Sequence, residues 1–157
     1  MENPSRALIE KFYSAFRQLD AEGMCACYDE QVVFHDPVFG LLRGPEVRAM
    51  WRMLCARADG FSLRYETPVD QGDGYHTCDW EADYLFSARK LPVKNKVRAN
   101  MLIVDGRITE HSDAFSLQAW CRQALGWKGY WLGWNGFFQR QVQLKARKGL
   151  LHYMKNG

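Results

Sequence analysis

Between residues 61 and 116 apolar and polar side chains alternate through four segments, and this period of two commits the middle of the chain to a sheet with one covered face and one wet face. Phe61, Leu63, Tyr65, Thr67 and Val69 alternate with Ser62, Arg64 and Glu66. Gln71-Gly72-Asp73-Gly74 is a turn. His76, Cys78, Trp80, Ala82, Tyr84 and Phe86 then form one face of a second strand, with Thr77, Asp79, Glu81 and Asp83 on the other. Those acidic residues read as a solvated face or the rim of a dimer contact. Asn95, Val97, Ala99, Met101 and Ile103 form one face of a third strand, and Asp105-Gly106 is a hairpin turn. Residues 108–116 make the fourth strand of an antiparallel meander.

Helices come before and after. Asn3-Pro4 is a start signal, with Asn as N-cap and Pro at the first helical position. Ile9, Phe12, Tyr13, Phe16 and Leu19 then fall on one stripe, which predicts a helix over 4–19. A short helix follows through 21–28. Val32-Val33-Phe34-His35-Asp36 reads as a strand broken by Pro37. Gly44-Pro45-Glu46 opens another helix with Val47, Trp51, Leu54, Cys55 and Ala58 on its apolar face, and residues 117–125 form one more, ended by Gly126. Helices segregated on one face of an antiparallel sheet define an α+β domain, and a strongly bent sheet against long helices would enclose a cone-shaped cavity.

The length of 157 residues suits a single domain, 1–157, with a core over about 5–125 and a C-terminal extension over 126–157. The 47 % apolar and 25 % charged composition excludes global disorder. No run of 18 apolar residues offers a membrane span, and the first residues lack the basic start and apolar stretch of a signal peptide. Five cysteines without a CxxC pair give neither a disulfide framework nor a structural zinc site. The expected compartment is therefore cytoplasmic. Charge is uneven. No acid follows Asp113, and residues 122–157 carry seven bases, which leaves 14 bases and 18 acids before them. Such a tail can contact nucleic acid or a lipid surface. Here the bases are interleaved with Trp, Phe and Leu, so the solvated side of a C-terminal helix is expected, with no nucleic acid and no membrane as partner.

Three stretches carry a family resemblance. The first is helix 1 with Phe34-His35-Asp36-Pro37-Val38-Phe39-Gly40, followed by Gly44-Pro45-Glu46-Val47-Arg48-Ala49-Met50-Trp51. The second is the Trp80-x-Ala82-x-Tyr84-x-Phe86 strand, and the third is Asp105-Gly106-Arg107-Ile108-Thr109-Glu110-His111-Ser112-Asp113-Ala114-Phe115. Together they resemble the nuclear-transport-factor-2-like superfamily, and within it the SnoaL-like group, with ketosteroid isomerases, limonene epoxide hydrolases and polyketide cyclases as relatives. The resemblance implies a cystatin-like fold, a cone-shaped curved antiparallel sheet wrapped on N-terminal helices, with a C-terminal helical extension in this chain. It does not imply a reaction, because this fold hosts many activities and also non-enzymes.

By the resemblance, Asp36 stands at the position of the ketosteroid isomerase general base. A carboxylate in an apolar cavity has a raised pKa and accepts protons better near neutrality. The alternative is an Asp that accepts backbone N–H bonds in the turn before Pro37. Asp113 matches the acid/base aspartate of limonene epoxide hydrolases and polyketide cyclases. His111 shares its face, and the two either shuttle a proton or satisfy each other as a buried polar patch. The candidate catalytic residues are therefore Asp36, His111 and Asp113. Phe12 falls where ketosteroid isomerases place an oxyanion tyrosine, with Tyr13 next to it, and Asn100 falls where they hold a protonated Asp, on the opposite face from Ala99, so an enolate would lose both strong donors. The limonene epoxide hydrolase Arg is replaced by Glu81. Phe12, Tyr13, Phe34, Trp51, Trp80 and Tyr84 are candidate pocket walls for a flat ligand, since 14 % of the chain is aromatic. Asn95 is the candidate polar contact. No His or Glu spacing supports a metal site, and no nucleotide or serine-hydrolase motif occurs, so no cofactor is expected. The expected function is a cofactor-independent isomerase, cyclase or hydrolase acting on a small hydrophobic molecule; the alternatives are a ligand-binding module or a dimerisation module. A homodimer through the sheet face is the expected assembly.

Overall fold

The computed structural model describes residues 3–156. Helix α1 runs Pro4–Arg17, α2 Ala21–Cys25 and α3 Pro45–Arg57. The strands are β1 Tyr28–Asp36, β2 Gly40–Arg43, β3 Ser62–Tyr65, β4 Val69–Gly72, β5 Tyr75–Phe86, β6 Leu91–Val104 and β7 Arg107–Ala114. Three helices close the chain: α4 Leu117–Ala124, α5 Gly126–Leu132 and α6 Gly136–Asn156. The α+β class expected from the alternation is the one observed.

Asn3 caps α1 through its side-chain oxygen, which accepts from the backbone N–H groups of Ser5 and Arg6. Ile9, Phe12, Tyr13 and Phe16 are the buried face of that helix. The helix stops at Arg17 rather than at 19, because Leu19 adopts a positive φ of 56°.

The sheet runs in the order β2-β1-β7-β6-β5-β3, with β4 beside β5. All neighbours are antiparallel except β1 and β7, which are parallel. A purely antiparallel sheet is thus corrected at one pair. Strand β1 belongs to the N-terminal half and meets the last strand of the meander only after the long crossover that a parallel pair requires. Asp105 and Gly106, both at positive φ (50° and 74°), make the tight β6–β7 turn. The 61–69 alternation splits into β3 and β4, with Pro68 in the gap. Two further boundaries shift. The short second helix ends at Cys25, and Tyr28 opens β1, four residues earlier than the apolar run suggests. Strand β2 pairs back on β1 and has no sequence pattern of its own in four residues.

The alternation on β5 and β6 survives intact. His76, Cys78 and Ala82 are buried on β5, and Val93, Val97, Ala99, Met101 and Ile103 on β6. On the outer face Arg64 bridges Glu81 and Asp83, and Arg98 pairs with Asp79. These exposed pairs each contribute little, about 0–1 kcal/mol.

Helix α6 lays a stripe of Phe138, Val142, Ala146, Leu150 and Tyr153 on the core, at the spacing of one helix face. Leu150 is fully buried among these, whereas Leu151 beside it is exposed. Arg147 donates to the carbonyl of Leu41 at 2.8 Å, and Gln143 to that of Pro37 at 2.8 Å. The extension is therefore part of the folded body. Leu150→Ala is expected to cost about 2–4 kcal/mol in urea unfolding, and Leu151→Ala within roughly 0.5 kcal/mol of zero. Equal effects of the two would show that α6 does not dock as described.

Candidate active site

Strand β1 points Val32, Phe34 and Asp36 inward by its period of two, and Tyr28 is also buried beyond a register irregularity that leaves Glu30 exposed. On β7 a bulge does the corresponding work. Ile103 pairs with Ile108 and Leu102 with Glu110, so Thr109 is the extra residue. Without it, an inward Ile108 would force His111 and Asp113 outward. With it, Ile108, His111 and Asp113 are all buried. The parallel register then sets Phe34 opposite His111.

Four side chains form one buried chain of hydrogen bonds. Trp51 Nε1 donates to the Tyr28 hydroxyl oxygen at 2.9 Å. The Tyr28 hydroxyl lies 2.7 Å from His111 Nδ1, and His111 Nε2 lies 2.9 Å from Asp113 Oδ1. An indole N–H can only donate. Tyr28 therefore has its own proton free for His111 Nδ1, which leaves the imidazole proton on Nε2 for the Asp113 carboxylate. Burial first, and the Asp113 charge second, hold the Tyr28 phenol well above its ordinary pKa, so it remains a donor. Around this chain Phe12 and Phe34 meet the His111 ring edge-on at 5.6 and 5.1 Å, and Trp51 stacks on it at 6.3 Å. Three of the expected pocket walls thus pack directly against the imidazole.

Asp36 ends β1 at 9 % exposure. Its Oδ1 accepts from the N–H groups of Val38 (2.9 Å) and Phe39 (2.6 Å), the turn geometry anticipated before Pro37. Its pKa is nonetheless pushed up to about 7. Burial is the largest cause and the Asp113 charge adds to it; the two N–H bonds and His111 pull the other way. Asp36 is therefore both a turn-forming residue and a proton-exchanging group near neutrality.

Tyr13 and Trp80 lie together, ring centroids 6.1 Å apart. Tyr13 Oη and Trp80 Nε1 are buried without a hydrogen-bond partner. Burial and then the Asp113 charge raise the Tyr13 pKa, so it too stays protonated. Leaving a donor unpaired costs about 1–3 kcal/mol, so this pair calls for an explanation beyond packing. Tyr84 accepts from Trp120 Nε1 at 2.9 Å, and its own pKa is raised by burial and, more weakly, by Asp36. Asn95 is half-buried on the inner line of β6, opposite Ala82. It stands four residues from Ala99, the partner of Asp113, or about 13 Å along the strand. Asn100 faces outward, on an open groove of about 860 Å³ edged by Glu66, Asp79, Arg98 and Glu110. Among the described residues no three His, Cys, Asp or Glu side chains come together as a metal-binding group.

Tyr28 and Trp120 were missed at the level of sequence. Tyr28 lay in a stretch that reads as helix, and nothing in the pattern marks an indole as a hydrogen-bond partner. No simple alternation marks Tyr28, because the exposed Glu30 and a register irregularity separate it from the inward series 32, 34, 36.

The family model of the SnoaL-like domain matches residues 9–111. No curated protein matches. Among solved structures, the chain is similar to TerC, a protein co-crystallised with polyporic acid, at 18 % identity and TM-score 0.67, over 79 % of this chain and 100 % of that one. It is similar to an NTF2-like protein of unknown function from Burkholderia pseudomallei at 17 % identity and TM-score 0.68, over 78 % and 98 %. It is also similar to an LEH-like epoxide hydrolase from M. tuberculosis at 20 % identity and TM-score 0.65, over 82 % and 93 %. At these identities the likeness concerns the fold.

Two consequences of the site are measurable. The unfolded Asp36 titrates near 3.8 and the folded one near 7, so between these values the native state holds more protons and stability falls as pH rises. From pH 5 to pH 8 Asp36 should remove on the order of 2–3 kcal/mol of stability. Asp36→Asn, whose amide oxygen still accepts the two N–H bonds, should abolish that slope in urea titrations. Tyr28→Phe should destabilise by about 2–4 kcal/mol, because it strands the Trp51 N–H and His111 Nδ1 together. A loss under about 0.5 kcal/mol would mean the chain is not formed.

Proposed function

The chain belongs to the SnoaL-like domain family, and on that premise we propose that it is a cofactor-independent acid–base enzyme acting on a small hydrophobic molecule with a polar oxygen. The observation that carries this reading is the convergence on Asp113. Its charge acts on Asp36, on Tyr13 and on Tyr28, so a proton-exchanging carboxyl and an unpartnered donor share one buried neighbourhood.

In this mechanism Asp36, close to half-ionised at neutral pH, takes a proton from the substrate and returns it to another atom. The substrate is a carbon acid beside a carbonyl, or a water attacking a strained ring. Tyr13 O–H and Trp80 N–H give hydrogen bonds to the oxygen on which negative charge develops, in surroundings where such bonds are strong. Asp113 is held in one orientation by the His111 N–H, and the His111 tautomer is held by Tyr28. Phe12, Phe34 and Trp51 fix the imidazole, while Tyr84 borders the apolar part of the substrate. The reaction class is isomerase-, cyclase- or hydrolase-like proton transfer.

A second reading has an observation of its own. His111 and Asp113 satisfy each other, and Asp36 satisfies the turn, so the same residues serve a non-catalytic module that binds a hydrophobic ligand.

The two part company in one experiment. The parent, Asp36→Asn and Asp113→Asn are incubated with a cyclic β,γ-unsaturated ketone and with a cyclic terpene epoxide. Binding is followed by tryptophan fluorescence and conversion by absorbance and chromatography. The expected result is turnover of one probe with an apparent pKa near 7, and a fall of about 100-fold or more in Asp36→Asn with the pH limb lost. Binding that is equal in all three proteins, with no conversion by the parent, overturns the enzyme reading in favour of the binding module.

A further inference from the structure

Helix α5 is amphipathic in an inverted sense. Gly126, Gly129 and Gly133 recur at i, i+3 and i+7, and a Cβ at Gly129 would overlap the carbonyl of Cys121 on α4. The glycine side is thereby pressed against the body of the protein. The opposite side, Trp127, Tyr130, Trp131 and Trp134, is turned to solvent. With Phe137 at the start of α6, these rings are 60–74 % exposed. The Trp134 indole N–H bonds to the Trp131 carbonyl at 2.9 Å. Five large rings held outside by close backbone packing are not an ordinary surface.

The charge carried by this end of the chain has one sign. No Asp or Glu follows Asp113, while seven Lys and Arg do. Lys128 and Arg122 sit over the rings of Trp127 and Tyr130, at 5.9 and 5.6 Å. The outward stripe of α6 continues the pattern, with exposed Phe137, Leu144 and Leu151 among Arg140, Lys148 and Lys155.

We propose that this face docks on an anionic lipid bilayer, its aromatic rings entering the headgroup region and its cations meeting the lipid phosphates. Trp and Tyr have the amphipathic rings that settle at that depth, and Lys and Arg beside them are drawn to an anionic surface. A second copy of the chain would set the exposed Lys128, Arg140, Lys148 and Lys155 of this face against the same four bases. A nucleic acid would leave Leu132, Leu144 and Leu151 uncovered. The expectation of no membrane partner rests on the lack of a spanning stretch and on bases interleaved with Trp, Phe and Leu, read as the solvated side of a helix. Among the described residues no helix is long and apolar enough to cross. Lying on a membrane needs none.

The test uses the full chain with vesicles of phosphatidylcholine alone, or of phosphatidylcholine with about one third phosphatidylglycerol. At low salt the chain should sediment with the anionic vesicles, remain free of the neutral ones, and release as salt rises, with tryptophan emission moving to shorter wavelength on binding. W131S/W134S and K128E/R140E should each weaken binding about tenfold or more, with circular dichroism and melting unchanged. Sedimentation with neither vesicle, or equal sedimentation with both that the aromatic variant does not alter, overturns the proposal. So does a dimer in the absence of lipid that W131S/W134S converts to monomer, or retention by duplex DNA without retention by vesicles.

Discussion

An imidazole and a carboxylate buried at 2 % and 5 % exposure must be paired or the fold fails, and the hydrogen bond between His111 and Asp113 meets that demand. The pairing reaches further than two residues. His111 has a second nitrogen, which needs Tyr28; Tyr28 has a second valence on its oxygen, which receives Trp51. The chain therefore ties β7 to β1 and β1 to α3, and it does so inside a shell of Phe12, Phe34 and Trp51 rings. Two consequences follow. The orientation of Asp113 is fixed from behind, and its negative charge is left to act on whatever else lies inside the cone. Asp36 feels it as a raised pKa, and Tyr13 and Tyr28 feel it as a reinforced grip on their protons.

Much of this frame is legible in the amino acids. The alternation over 76–86 and 95–103 assigns inner and outer faces correctly, because both strands are long and one side of each is covered. The Asn3-Pro4 start and the Asp105-Gly106 turn are local chemistry and appear where expected. What escapes has a physical reason in each case. A four-residue strand such as β2 has too few positions to show a period. The parallel contact between β1 and β7 joins segments about seventy residues apart, and no local pattern encodes it. The bulge at Thr109 is harder still, since it shows only in pairing. His111 and Asp113 share a face on either side of the question, but whether that face is the inner one depends on this single extra residue.

The candidate site shows the same division. Asp36, His111 and Asp113 are readable as polar residues on apolar faces, and the structure gathers them. Their connection is not readable, because Tyr28 and Trp51 contribute through a hydroxyl and an indole N–H that a hydropathy pattern counts as part of an apolar ring. Asn95 illustrates the converse. It breaks an apolar series as a binding residue would, yet the strand carries it about 13 Å from the Asp113 neighbourhood. Position on a face is encoded strongly; position along the strand, relative to a partner on another strand, is encoded weakly.

The C-terminal extension bears on the same carboxyl group from outside. The segment 37–41, the turn after β1 and the start of β2, is held on its inner side by Asp36, which accepts the N–H groups of Val38 and Phe39. On its outer side α6 holds it through Gln143 to the Pro37 carbonyl and Arg147 to the Leu41 carbonyl. The inner bonds favour the ionised carboxylate, against burial and Asp113, which disfavour it. Drawing α6 and this segment away from the cone would act on Asp36 in two opposed ways, loosening the two N–H bonds that favour the ion and hydrating a carboxyl whose burial is the largest cause that disfavours it. Helix α6 thus holds from outside the same segment whose N–H groups and burial set the proton affinity of Asp36.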